Sequence, residues 1–327
     1  MFKKIGVVGL LVLFLSFSTF LFSTTSAKEK FPNRPITFII SFPPGGNIDT
    51  SYRPLIEAAS KILGQSIVPV NKPGASGTLG PASLKTVKPD GYTLSVGIVN
   101  LLTVPYMQDV AFDPLKDFTY IIRIHGGQFG IVVRSDSPWK SLKDLVEYAK
   151  KHPNEINYST STPGGPHHFA MEEIALREGL KWKIVPYPGG AAAITALLGG
   201  HVQAASQDTT WAPYVLNGQL RLLAIFGGAE NFRVKEFPDV PTLKELGYTP
   251  WSSPLGVIGP AGMDKNIVKI LHDAFKEAMK DPVFIKTCET LLMPNLYLNS
   301  EDYDRYMRES YPKFGEAVRM VGLAKKK

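Results

Sequence analysis

Cysteine occurs once in this 327-residue chain, at Cys288, which excludes an intramolecular disulfide and a cysteine-built metal cluster. Basic clusters are nearly as scarce. Lys325–Lys327 is the one run of three, too little to support nucleic-acid binding. The Gly-x-Ser-x-Gly elbow of α/β hydrolases and the phosphate-binding P-loop are both missing. Beyond Ile5–Phe22 there is no apolar run long enough to cross a bilayer.

What is there begins with MFKK, the apolar run itself, and then STTSA ending at Ala27. That order of charged, apolar and small residues is a secretory signal over residues 1–27, with an uncleaved membrane anchor as the alternative. No cysteine stands near the cleavage point, so a lipid-anchored form is not supported. The mature protein is therefore expected in the periplasm or another extracytoplasmic space. At 44% hydrophobic and 20% charged residues the composition is globular, and the formal net charge of +7, reduced to +5 without Lys3 and Lys4 of the signal, is a modest surplus that suits an anionic ligand. Dispersed lysines are equally what an ordinary solvated surface looks like.

The mature chain repeats one grammar: a short β-branched run, a Gly- or Pro-rich turn, then a helical pattern. Ile36–Phe42 is the first such strand, apolar on both faces as in a sheet covered by helices on each side. It breaks at Pro43-Pro44-Gly45-Gly46 and is followed by the N-cap cluster Asn47–Thr50 and an apolar stripe at Leu55, Ala58, Ala59 and Ile62. Ser66–Val70 leads to a second glycine turn, Asn71–Gly80, and Tyr92–Val99 is a third strand. Gly126-Gly127, between the runs Phe118–Ile124 and Phe129–Arg134, reads as a hinge. Further rounds follow at Ile156–Gly179, Lys183–Gly200 and Val202–Tyr214, and then a strand at Leu220–Phe226. A helix through Leu246, a strand near Val257 and two amphipathic helices complete the chain. The repetition predicts parallel or mixed α/β architecture in two lobes, 28–125 with 226–327 and 126–225. Sites are expected at the facing carboxyl edges of the strands. A strand ending in Gly45-Gly46 ahead of a helix leaves backbone N–H groups open to a cleft, a grip suited to a small carboxylate.

Five segments resemble the periplasmic solute-binding proteins of tripartite tricarboxylate transporters, the Bug family: RPITFIISFPPGGNIDTSYR from Arg34, NKPGASGTLG from Asn71, PDGYTL from Pro89, VPYPGGAAAITALLGGHV from Val185 and PDVPTLKELG from Pro238. They span nearly the whole mature chain in the family's order. The resemblance implies a two-lobed α/β protein of the periplasmic binding type II fold. Its lobes would close on an organic acid and deliver it to membrane transporter subunits, with no cofactor, no metal and no chemistry, as a monomer. Carried over by position, Ser41, Pro44, Gly45, Gly46 and Asp49 match the first turn, and Ala75, Ser76, Gly77 and Thr78 the second. The far lobe's contribution falls at Thr160, Ser161, Thr162, Gly164, Gly165, His168, Tyr187, Gly189 and Asp208. The chain departs from the family pattern at Ser41, at Thr162-Pro163-Gly164-Gly165 and at Pro188, where the family usually has proline, Gly-x-Gly-Ser and a basic residue.

Several of these residues have an ordinary structural reading too. Asp49 suits a helix cap, since a carboxylate beside a bound carboxylate repels it. His167 and His168, adjacent on a helix, point about 100° apart and do not readily share a metal ion. His168 suits a donor into the cleft or a cap, and Tyr187 a ligand contact or a cover for apolar surface. Phe129 and Trp211 suit the wall of a site for an aromatic acid, or core. An exported hydrolase or transferase acting on a carboxylate, or the ligand-binding part of a sensory system, are the alternative functions.

Overall fold

The computed structural model describes residues 30–227 and 232–326, so the expected signal segment, residues 1–27, lies outside the described residues. In chain order the elements of the first lobe begin with β1 (Ile36–Ile40), α1 (Asn47–Leu63), β2 (Ile67–Asn71), α2 (Leu79–Ala82), β3 (Thr93–Gly97), α3 (Asn100–Met107) and β4 (Phe118–Gly127). The second lobe holds β5 (Phe129–Arg134), α4 (Leu142–Lys151), β6 (Asn157–Thr160), α5 (Pro166–Glu178), β7 (Lys183–Pro186), α6 (Gly190–Leu198), β8 (Ala204–Asp208), α7 (Ala212–Leu216) and β9 (Leu220–Ile225). The chain then returns to the first lobe with β10 (Ser253–Pro260), α8 (Lys265–Ala278), α9 (Pro282–Thr290), β11 (Asn295–Leu298) and α10 (Ser300–Met320).

Two separate mixed sheets result, ordered β11-β4-β10-β3-β1-β2 and β7-β6-β8-β5-β9. The first has a parallel half, β2-β1-β3, and an antiparallel half in which β10 pairs with both β3 and β4. The second repeats the plan, with β7-β6-β8 parallel and β5 antiparallel between β8 and β9. Strand β1, ITFII, is buried almost throughout because helices cover both faces, and Phe38 packs its ring between Tyr52 and Phe275 at 5.6 and 5.9 Å. In the second sheet Val132, Ala205 and Leu222 share a core with Ile194 and Leu197 of α6 and with Trp211.

The two sheets are joined at two places. Between β4 and β5 a single residue, Gln128, makes the passage, and the paired glycines read as a hinge are the last two residues of β4. The second is the return from β9 to β10, tied back where the Phe226 N–H donates to the Phe129 carbonyl at 3.0 Å.

Two local expectations fail. Residues 243–247 form turns, not a helix, closed where Thr242 and Glu245 exchange hydrogen bonds at 2.9 and 3.2 Å and ended by Gly247 at φ +83°. The C-terminal region carries three helices and a strand in place of two helices, because Asp281 caps a separate α9 directly after α8. The capping box of α4 forms as its sequence requires, with Ser141 and Asp144 serving each other's N–H groups.

Candidate functional site

The strands β1, β2 and β3 end at one edge of their sheet, and β6, β7 and β8 end at one edge of theirs. The turns leaving those edges line a cavity of about 210 Å³. From the first lobe come Phe42–Pro44, Gly46–Ile48, Ile98 and Asn100. The second supplies Ser161, Thr162, Pro166, His167, 188–192, Asp208 and Thr209, while Gly127, Gln128 and Phe129 at the passage form its floor.

Four helices of eight or more residues, α1, α3, α5 and α6, begin at this cavity, where Asn47, Asn100, Pro166 and Gly190 are lining residues. The first N–H groups of a helix have no partner inside it, and its dipole puts positive potential there. The N–H groups of Asn47 and Ile48 on α1, and of Gly190, Ala191 and Ala192 on α6, have no acceptor among the described residues. No lysine or arginine is among the lining residues, so the attraction for an anion is supplied by backbone. Asp208 is the acid among them. Burial pushes its carboxyl above the ordinary range, against hydrogen bonds to Oδ1 from the Thr210 hydroxyl at 2.7 Å and N–H at 3.2 Å.

Of the residues singled out in the sequence, Pro44, Gly46, Ser161, Thr162, Gly189 and Asp208 line the cavity. The others stand behind it. Asp49 is neither cap nor lining. It sits in the first turn of α1, whose N-cap is Gly46, and its buried carboxylate receives Gly45 N–H at 3.0 Å, both Arg53 donors at 2.9 and 2.8 Å and Asn71 Nδ2 at 2.8 Å. The Gly45 amide is thus already spent, and the amides left open are the next ones along.

Ser41 is buried and turned toward α2, where a β-carbon on Gly80 would lie 3.2 Å from its hydroxyl. The second glycine turn, Ala75, Ser76, Gly77 and Thr78, props the first from behind: a β-carbon on Gly77 would come within 2.8 Å of Phe42 and Ile98, both lining residues. Thr160 is fully buried, and its carbonyl receives the Tyr187 N–H at 2.8 Å. Tyr187 packs on the second lobe's core. Gly164 and Gly165 shape the turn before α5, and His168 fixes that turn by accepting the Gly164 N–H on Nδ1 at 3.0 Å. The histidine that lines the cavity is its neighbour, His167. Phe129 lines it too, whereas Trp211 is buried core, donating from Nε1 to the Gln207 carbonyl at 3.2 Å.

Sequence reasoning missed Asn47, Asn100, His167 and the pair Leu255 and Met293. Asn100 follows the third parallel strand, so the rule that sites gather at carboxyl edges could have found it. Leu255 and Met293 come from distant chain with no motif of their own.

Contacts bridge the cleft. Asn47 Nδ2 donates to Thr209 Oγ1 at 2.7 Å, Thr209 Oγ1 donates to the Leu291 carbonyl, and Thr103 Oγ1 donates to the Gly164 carbonyl at 2.7 Å.

Two α/β lobes, linked by two passages and facing each other across a cavity at their strand ends, define the two-lobed periplasmic binding proteins as the class. Structure "BugD", a periplasmic binding protein, superimposes with a TM-score of 0.83 at 27% identity, covering 90% of this chain and all of that one. The chain belongs to the tripartite tricarboxylate transporter family receptors, whose model matches residues 52–323. It is 41% identical over 298 residues to the "UPF0065 protein in gbd 5'region" of Cupriavidus necator, covering 91% of this chain and 90% of that protein. Rpa4515 of R. palustris, solved with adipate, superimposes with a TM-score of 0.82 at 26% identity over 90% of this chain and 99% of its own.

Proposed function

We propose that this chain is an extracytoplasmic receptor that captures a small organic acid by closing its lobes, and passes it to a tripartite tricarboxylate-type transporter as a monomer. The single observation that carries the reading is the convergence of helix N-termini from both lobes on a cavity without a cationic side chain. The adipate held by Rpa4515 is a ligand of the same chemistry. On this reading β1–β4, through Gly127, and β10–α10 move against β5–β9, so the first crossing lies at Gln128 and not between residues 125 and 126, and the segment ending at Ala27 directs export. Holding an acid in this way calls for no reacting group, and the family's named relatives are binding proteins. The apolar remainder of the cavity, Phe129 with Pro43, Ile98 and Leu255, would take an aliphatic or aromatic tail.

Binding to the native state alone raises the melting temperature. A thermal-shift panel of aliphatic, hydroxy and aromatic acids is expected to yield at least one clear upward shift with the mature protein. A panel that moves nothing sinks the proposal.

Closure gives the Thr209 bridge a measurable role, because its bonds to Asn47 and Leu291 exist only while the lobes meet. Thr209→Val keeps the shape and removes both. Each net hydrogen bond is worth about 1 kcal/mol, so affinity should fall about tenfold or more for every acid alike, mainly through faster dissociation. Unchanged dissociation rates in stopped-flow would remove the bridge from the mechanism.

A further inference from the structure

The imidazole of His167 lines the cavity, is 4% exposed, and has no hydrogen-bond partner on either ring nitrogen. A buried polar group without a partner is costly and uncommon. Among the described residues none partners either nitrogen, and the ring is packed on two sides. It lies on Phe129 with centroids 5.1 Å apart and an interplanar angle of 31°. Gly165 lies against it as well, where a β-carbon would come within 2.8 Å of Cε1 and 3.3 Å of Nδ1. The main chain is pinned where the Ser206 hydroxyl donates to the His167 carbonyl at 2.8 Å.

Burial, with His168 adjacent, holds the group neutral by lowering its pKa to about 3. A neutral imidazole presents one donor and one acceptor. A carboxylate only accepts, so it can satisfy the N–H and leaves the bare nitrogen unpaired. The bare nitrogen needs a ligand group that carries a proton. Asp208, on the same wall, has Oδ1 engaged by Thr210 and is a second site that favours a donor.

Resting on the carboxylate-receptor reading above, we propose that the ligand is a hydroxy acid, with the hydroxyl received by His167 in the second lobe and the carboxylate held at the helix N-termini. His167 is then a specificity-determining residue: it distinguishes a hydroxy acid from the same acid without the hydroxyl, while the backbone grip treats both alike.

The test is calorimetric titration of the mature protein with matched straight-chain pairs, each hydroxy acid beside its deoxy parent, with the hydroxyl moved one carbon at a time. The wild-type protein is expected to bind one hydroxy acid on the order of tenfold to a hundredfold more tightly than its parent. His167→Phe keeps a ring on Phe129, and should bring that ratio to about one. His167→Gln restores a donor and an acceptor, and should keep part of the preference even if the phenylalanine variant fails to fold. A wild-type protein that binds carboxylates with no preference in any pair overturns the inference and spares the receptor reading. A His167→Phe protein that keeps the full ratio overturns it as well. Binding of no acid at all would overturn both.

Discussion

Gly46→Val is expected to weaken every acid the protein binds by a hundredfold or more while leaving the fold in place. Gly46 is the N-cap of α1, with φ −76° and ψ 165°, an extended conformation open to any residue. A β-carbon there meets nothing nearer than the Pro43 carbonyl oxygen at 3.7 Å. The native state therefore loses only the difference between glycine and valine at an N-cap, about 1 kcal/mol. The cost falls on the cavity. The isopropyl group enters the space Gly46 lines and covers the open N–H groups of Asn47 and Ile48. Losing a charge-assisted contact to those amides is worth about 3 kcal/mol, which sets the hundredfold figure. Titration calorimetry with any acid found in the thermal-shift panel checks this, with circular dichroism as the control. A valine variant that is folded and binds normally would mean that the carboxylate lies elsewhere.

Asp49→Asn should lower stability by about 2 kcal/mol and flatten the acid limb of the stability curve. One carboxylate receives four donors, from Gly45, Arg53 twice and Asn71, and an amide with a single acceptor oxygen cannot serve them all. The figure is kept modest because the Arg53 side chain is 47% exposed, so its part is screened by water. Burial by itself raises the Asp49 pKa, but the hydrogen bonds from Arg53, Asn71 and Gly45 together outweigh it and leave the group below its ordinary value. A carboxyl depressed in the folded state adds stability that is complete above the unfolded value of about 4 and is lost as pH falls through the folded one. Wild-type protein should thus lose melting temperature below about pH 4 more steeply than the asparagine variant. Parallel acid limbs would show that Asp49 contributes no net charge effect.

Much of the architecture was legible because it rests on local rules. Strand β1 is where its apolar run lies, although it ends at Ile40, two residues ahead of Pro43-Pro44, and α4 begins where Ser141 and Asp144 complete a box. The two-lobed plan followed from strand-turn-helix repeats and from the quoted family segments. The cavity was half legible. Pro44, Gly46, Ser161, Thr162, Gly189 and Asp208 line it, whereas Ser41, Gly45 and Asp49 of the same first turn stand behind it. Between His167 and His168 the sequence had no means to choose. The two differ by one helical step, and which one faces the cavity depends on how Gly164 and Gly165 set the start of α5. The second glycine turn has the composition of a ligand loop and yet supports Phe42 and Ile98, because packing against a side chain demands small residues just as exposure to a ligand does. Leu255 and Met293 arrive through β10 and the chain beyond α9, long-range placements that no local pattern carries.

The helix N-termini have one more consequence, for how such a receptor can change its diet. Peptide N–H groups are the same whatever residue carries them, apart from proline, so most substitutions cannot erase the grip on the acid group. The side chains around it, Phe129, Thr162, His167 and Pro188, are separately replaceable. A lineage can then trade one acid for another through single changes, without ever passing through a form that has lost its hold on carboxylates.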